Sequence, residues 1–472
     1  MYAVGFQYLF TLIIARTLGP TLMGSFFLGF AILNVLSMVC QMGLGTSLLK
    51  FLSIRLLEED YEYAKRILLF SVKCIIGISI GMAALTYISR NMLSLHVFSD
   101  PELKLVFVFI TAILPFYSLF LFSVDALKSF KKIGLIVVVQ YLFFPTVQLL
   151  FLVSFFYMGL KLSSPLISLF LATVLSLAAF LMIFQKLLPQ GVYNSEQTLD
   201  TREIFSVSIP MYLATVMFLL MSWTDTIMVG LFKSSQEVGF YTAAAKTALF
   251  VSFFLTAVNY ILPPLAAQLY EKGEKQDLES IARRTARWNL IFATTVTLAF
   301  VLFGKEILSL FGHEFAVAYI PLLLLSLGQV VNAGTGSVGY ILAMTGFQRV
   351  LLNISIFSAI LNILLNALLI PFFSIIGAAL ATGFIISLAN ILNAYFVKKR
   401  LGIIPYSDNI LKIIGYIIIG GTISFVGKIY LGLIGGIGAF LIIMTFIITI
   451  ALMDSSDKIL IKSLILRTKK AF

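Results

Sequence analysis

A carboxylate at Asp225 and an ammonium at Lys246 stand inside long apolar stretches of the chain. A charge there costs about 2.5–3.5 kcal/mol at the centre of a bilayer even on the most lenient insertion scale, so each group needs a partner or water. Asp225 lies in Trp223-Thr-Asp225-Thr-Ile-Met-Val-Gly230, and Lys246 follows Gly239-Phe-Tyr241 across a short connection. An Asp–Lys contact between the two segments is the pairing this spacing predicts. Arg16 ends the first apolar stretch and can point inward, whereas Lys73 and Asp125 are expected to snorkel towards the interface. Asn362 and Asn366, four apart, share one helical face, and Asn390 and Asn393 are three apart. Amides so placed on adjacent helices are expected to bond each other. Gly377-Ala-Ala379, and Gly77 with Gly81, have the small-residue spacing of closely packed membrane helices.

Catalytic chemistry finds no foothold. The chain lacks a G-x-x-x-x-G-K-[ST] phosphate loop and an H-E-x-x-H pair. Cys40, Cys74, His96 and His313 occur singly, so neither a metal site nor a disulfide framework is expected. The acidic residues Glu58, Glu59, Asp60 and Glu62 sit among bases, as solvated connections do, and Glu271 to Arg287 reads as an amphipathic cytoplasmic helix at the membrane surface.

The elements that must hold these groups follow from composition. The chain is 60% hydrophobic and only 11% charged, a surface that water could not solvate. Its apolar runs are long and unbroken, which fits helices and not barrel strands. A crossing helix needs about 20 residues, and fourteen spans are predicted, the first of them short: 1–16, 22–49, 67–88, 104–126, 134–158, 165–185, 205–231, 238–269, 288–311, 317–344, 350–372, 375–397, 409–430 and 432–453. Pro145, Pro210, Pro263 and Pro264 inside these runs can kink them. Charge tests the count independently. Twenty-four basic residues fall on even-numbered connections and the C-terminal tail and seven on odd-numbered ones, among them Lys428; with Lys73 and Lys246 inside helices, all 33 are accounted for. By the positive-inside rule both termini are cytoplasmic, and the net charge of +12 needs no nucleic-acid partner.

An internal repeat joins the halves. Leu18-Gly-Pro-Thr-Leu-Met-Gly24-Ser-Phe26 is similar to Lys233-Ser-Ser-Gln-Glu-Val-Gly239-Phe-Tyr241 at an offset of 239 − 24 = 215. Ala126-Leu-Lys-Ser-Phe130 is similar to Ala343-Met-Thr-Gly-Phe347 at an offset of 347 − 130 = 217. The expected fold is all-α: an N-terminal six-helix lobe (1–188), a cytoplasmic linker (189–204), a second six-helix lobe (205–400), two additional transmembrane helices (401–453) and a basic tail (454–472).

At these residues the chain resembles the polysaccharide flippase family of the multidrug/oligosaccharidyl-lipid/polysaccharide exporter superfamily. The resemblance rests on Ala15-Arg16-Thr-Leu18-Gly19-Pro20-Thr-Leu-Met-Gly24, on Asp225-Thr-Ile-Met-Val-Gly230 followed by Val238-Gly239-Phe-Tyr241, and on Asn362-Ile-Leu-Leu-Asn366-Ala-Leu-Leu-Ile370-Pro371 continuing to Gly377-Ala-Ala-Leu-Ala381-Thr382. Ser374 departs from it, standing where the family often has glycine. The resemblance implies two lobes that alternately open a central cavity to a polyprenyl-pyrophosphate-linked oligosaccharide. Arg16 and Lys246 are then the candidates for the anionic head and Gln329 and Asn332 for the sugar. Asp225 is a structural or ion-coupling carboxylate, with Gly24, Gly239 and Tyr241 at family motif positions. The only cofactor it leaves open is a coupling cation, H+ or Na+; the partners are the lipid-linked glycan, membrane lipids and the glycan-assembly machinery. A multidrug cation exporter of the same superfamily is the alternative, although the ionisable groups here lean basic. A membrane glycosyltransferase or polymerase ranks lower, because the connections are too short for a catalytic domain.

Overall fold

The computed structural model describes residues 2–45, 48, 51, 52, 56, 60–188, 222–406 and 410–449. Among them the regular elements are all helical, and ten helices are long and apolar enough to cross a membrane. The chain is thus an all-α, multi-pass membrane protein. The linker 189–204, most of span seven, Pro210 and the tail 454–472 lie outside the described residues.

The three longest helices each carry one residue of non-helical backbone. Tyr2–Gln41 breaks at Gly19 (φ 72°), Gln348–Leu401 at Ser374 (φ 50°) and Ile410–Ile447 at Gly432 (φ 69°). These are the places where the sequence puts a connection between consecutive spans, and the limbs fold back on one another. Phe10 meets Phe26 with ring centroids 5.9 Å apart. Asn362 reaches Thr382, and a Cβ on Gly377 would lie 2.4 Å from the Leu369 carbonyl oxygen. Gly427 faces Ala439 and Gly436 faces Lys428 across the third hairpin. At the first break glycine takes the left-handed conformation and Pro20 starts the next helix, where its missing N–H costs nothing. Serine at the second break accepts a conformation that favours glycine.

The stretch Glu271 to Arg287 is helical from Lys275: Phe253–Glu271 ends at a turn with Gly273 at φ 75°, and Lys275–Ser309 runs on without interruption into span nine. One expectation fails. Gly77 and Gly81 mark no close packing among the described residues, since none of these lies within 4 Å of where either Cβ would stand.

The chain divides into two compact units, residues 1–247, 308–321 and 355–382 forming the first and 248–307, 322–354 and 383–472 the second. In the first, an apolar core of Leu44, Leu48, Ile67, Phe122 and Ala126 joins spans two, three and four near their even-numbered connections. In the second, Leu262, Ala282, Val338, Ala394 and Val397 form one core, and Leu290, Phe303, Ile417, Phe440 and Met444 form another that seats the third hairpin. Connections of like parity meet within each unit. Arg16, at the first, donates from Nε to the Leu310 carbonyl (2.5 Å) and from Nη2 to that of Ser309 (3.2 Å), where span nine ends. Lys233, at the seventh, reaches the Pro371 carbonyl at the eleventh (2.9 Å). In the second unit Arg283 donates to Ile404 (3.1 Å), joining the eighth to the twelfth.

Candidate functional site

Asp225 is the hub of the first unit. It is 6% exposed on the helical segment 222–232, between Thr224 and Thr226, and three donors converge on its carboxylate. The Tyr241 phenol donates to Oδ2 (2.8 Å), the Thr382 hydroxyl to the same oxygen (2.5 Å), and Asn366 Nδ2 to Oδ1 (2.8 Å). Tyr241 comes from Ser235–Ala248, and Asn366 and Thr382 come from the two limbs of the Ser374 hairpin, so one side chain ties three stretches of chain together. A carboxylate accepts from several donors at once, and charge-assisted bonds of this kind are the strong ones. One turn away Asn362 donates to Thr382 Oγ1 (3.4 Å). The Oδ1 atoms of Asn362 and Asn366 are buried and accept no hydrogen bond from the described residues.

The expected Asp225–Lys246 contact is absent: Tyr241, Asn366 and Thr382 take the carboxylate instead. The expected amide–amide bonds are absent too. Asn366 turns to Asp225 and Asn390 donates to the Ile386 carbonyl in its own helix (2.9 Å). Lys246 is half-buried, one residue before Thr247, whose hydroxyl lies 3.3 Å from that of Tyr8 in span one. Among the described residues Lys246 has no hydrogen-bond or ion-pair partner. Arg16 is exposed and uses its guanidinium on backbone carbonyls at a helix end, a place that suits a cation. Gln329 and Asn332 belong to the second unit; both are half-buried, and Asn332 Nδ2 donates to Gln329 Oε1 (2.9 Å). Lys73 is exposed within Tyr61–Met92, and Asp125 pairs with Lys128 (2.6 Å).

Gly24 and Gly239 bring backbone against backbone. A Cβ on Gly24 would stand 1.6 Å from the Ser235 carbonyl oxygen, and one on Gly239 would stand 2.1 Å from that of Pro20. The two contacts are images of each other, because 239 − 24 and 235 − 20 are both 215, the offset of the internal repeat. Residue i meeting j while the copy of i meets the copy of j is the mark of a two-fold axis.

Two further polar contacts escaped the sequence reading. Ser374 donates to Glu237 Oε2 (2.8 Å), fixing the hairpin tip to the first turn of Ser235–Ala248. Asp100 accepts from Ser25 and Ser235. Ser99-Asp100-Pro101 carries a turn signal that could have flagged the aspartate, but nothing in it names its distant partners.

With this geometry, comparison with known proteins is informative. A family model described as polysaccharide biosynthesis protein matches residues 1–270, more than half of the chain. The chain belongs to the polysaccharide biosynthesis protein family. A second model, MatE, matches residues 210–368. Among curated relatives of this family member, the probable low-salt glycan biosynthesis flippase Agl15 of Haloferax volcanii is 25% identical over 205 residues, 43% of each chain. The capsular polysaccharide biosynthesis protein CapF of Staphylococcus aureus is 24% identical over 201 residues, 42% of this chain and 50% of that one. The alignments thus span about half the length of these relatives. Among solved structures, the lipid II flippase MurJ in an inward closed conformation superposes with a TM-score of 0.75 at 14% identity, covering 96% of this chain and 99% of that one. An inward-facing multidrug resistance MATE family transporter gives 0.63 at 13% identity, covering 85% and 95%. At such identities the likeness shows a shared fold.

Proposed function

We propose that this protein is a flippase, not an enzyme, and moves a polyprenyl-pyrophosphate-linked oligosaccharide across the cell membrane by alternating access, with both termini in the cytoplasm. The observation that carries the reading is Lys246, a cation in a membrane-spanning helix with no partner among the described residues. Such a group is costly unless something anionic or wet occupies its surroundings for part of the cycle. A pyrophosphate meets that need. Phosphates and sugar hydroxyls lose hydration in hydrocarbon, and a polar cavity replaces it. Lys246 and Arg16 bind the anionic head, Gln329 and Asn332 bond the sugar, and the lipid tail stays among the membrane lipids. The names of the flippase relatives and the MurJ fold support the same class of cargo.

A coupling cation fits the Asp225 cluster. The orphaned Oδ1 atoms of Asn362 and Asn366 beside the carboxylate are the oxygen donors that a hard cation takes. Asp225, Asn362 and Asn366 would hold Na+, and H+ would instead sit on the Asp225 carboxylate; either would supply the driving gradient. Asp225→Asn is expected to abolish dependence of transport on that gradient.

Deleting the gene is expected to leave the lipid-linked glycan made but held on the cytoplasmic leaflet, with surface glycan lost. Glycan export unchanged in the absence of a redundant flippase, together with a fall only in resistance to cationic drugs, would favour the exporter reading that the MatE match also accommodates.

A further inference from the structure

Asp100 lies between Tyr61–Met92 and Leu103–Ser129, in the third connection, and is 8% exposed. Its Oδ1 accepts from the Glu102 amide (2.9 Å) and its own amide donates to the Ser94 carbonyl (2.8 Å), so the turn holds the side chain in place. That leaves Oδ2 for two hydroxyls, Ser25 Oγ (2.6 Å) and Ser235 Oγ. Ser25 opens span two and belongs to the first half of the repeat; Ser235 opens span eight and belongs to the second. Both are buried, and no cation pairs with Asp100 among the described residues. The three residues sit at odd-numbered connections, beside the Gly24–Gly239 contact.

The hydroxyls are not part of the repeated pattern. At the offset of 215 Ser25 corresponds to Phe240 and Ser235 to Pro20, and the aspartate comes from the first half alone. The symmetric backbone contact therefore carries an asymmetric clamp, which the packing of Gly24 on Gly239 does not itself require.

We infer that Asp100 is a latch that holds the two repeat halves together at the outer end of the bundle, and that breaking its bonds to Ser25 and Ser235 opens that end. The inference rests on the alternating-access reading and on the outward placement of the odd-numbered connections. Removing the carboxylate leaves two buried hydroxyls without their charged acceptor and shifts the balance towards the open form.

The test uses the full chain with Cys40→Ser and Cys74→Ser. Val238→Cys, at a buried position in the first turn of Ser235–Ala248 that makes no bond to Asp100, reports opening, and its labelling by a membrane-impermeant thiol reagent is compared with and without Asp100→Asn. The expected rise is about tenfold, the scale set by hydrogen bonds to a charged group. Should Asp100→Asn fail to accumulate, Ser235→Ala removes one of the two bonds and is read the same way. Separately, the pair Ser25→Cys and Ser235→Cys is expected to cross-link under mild oxidation and stop transport until reduced. Unchanged labelling, no cross-link, or transport at the unlinked rate through the cross-linked chain would each overturn the latch. Labelling does not depend on the cargo, so a tenfold rise in a protein that moves no glycan would keep the latch and remove the flippase reading.

Discussion

Lys246 and Lys428 are the same side chain in comparable places, each on an apolar membrane helix, yet their surroundings differ in kind. Lys428 Nζ donates to Glu306 Oε1 (2.6 Å) and to the Leu302 carbonyl (2.5 Å), and it lies 5.0 Å from the Phe303 ring centroid. Lys246 has no such partner among the described residues. Lys428, its ammonium engaged by a carboxylate and a carbonyl, serves the fold by pinning the appended hairpin to span nine. A cation whose donors are unused is set aside for something that comes and goes. Asp225 shares a feature with each: the protein's own donors engage its carboxylate, as Glu306 engages Lys428, while the Oδ1 atoms of Asn362 and Asn366 beside it stay open to a cation.

The largest effect is expected for Lys246→Ala. Transport of the lipid-linked glycan should fall at least about tenfold, the loss of a hydrogen-bonded charge contact, while the melting temperature in detergent stays put. Transport equal to that of Lys428→Ala at matched expression would erase the contrast. Asp225→Ala should act on the fold: with Tyr241, Asn366 and Thr382 stripped of their acceptor, about 2–4 kcal/mol of stability is expected to go. Unfolding unchanged in that variant would move Asp225 to the same side as Lys246. For Lys428→Ala the loss is smaller, about 1 kcal/mol or less, because the pair is screened by solvent, its side chains being 25% and 37% exposed. Near-normal transport should accompany it, and a transport defect as deep as that of Lys246→Ala would break the comparison from the other end.

The smallest effect lies at Ser374. Ser374→Gly relieves the left-handed backbone and gives up the bond to Glu237, two terms of about 1 kcal/mol each that nearly cancel. Ser374→Ala keeps the strain and loses the bond, so it should melt lower than the glycine variant. The reverse order would mean that the hairpin tip carries no strain.

The spans were legible because burying backbone in lipid leaves so few options: runs of apolar residues punctuated by Gly-Pro or charge must be helices, and the breaks at Gly19, Ser374 and Gly432 fall where that punctuation put them. Asp225 and Lys246 were legible as costs. Their partners were not. Proximity in sequence favoured pairing the two, but Tyr241 is closer to Asp225 in the chain, and Thr382, 157 positions away, offers its hydroxyl without first being stripped of a hydration shell as an ammonium must be. Asp100 was hidden for another reason. It sits in a connection, where an acid reads as solvated, and only the fold brings Ser25 and Ser235 around it. Gly77 and Gly81 show the converse, since small-residue spacing states that a helix can be approached and not that anything approaches it.

The reciprocal contact of Gly24 with residue 235 and of Gly239 with residue 20 makes the chain its own dimer partner at that point. In a homodimer a change at the axis is felt twice because one gene encodes both sides. Here two separate codons occupy the equivalent places, so each half can drift on its own except where backbone touches backbone. Gly24→Ala and Gly239→Ala should accordingly injure the protein alike, and neither glycine is free to be replaced while the other half keeps its shape.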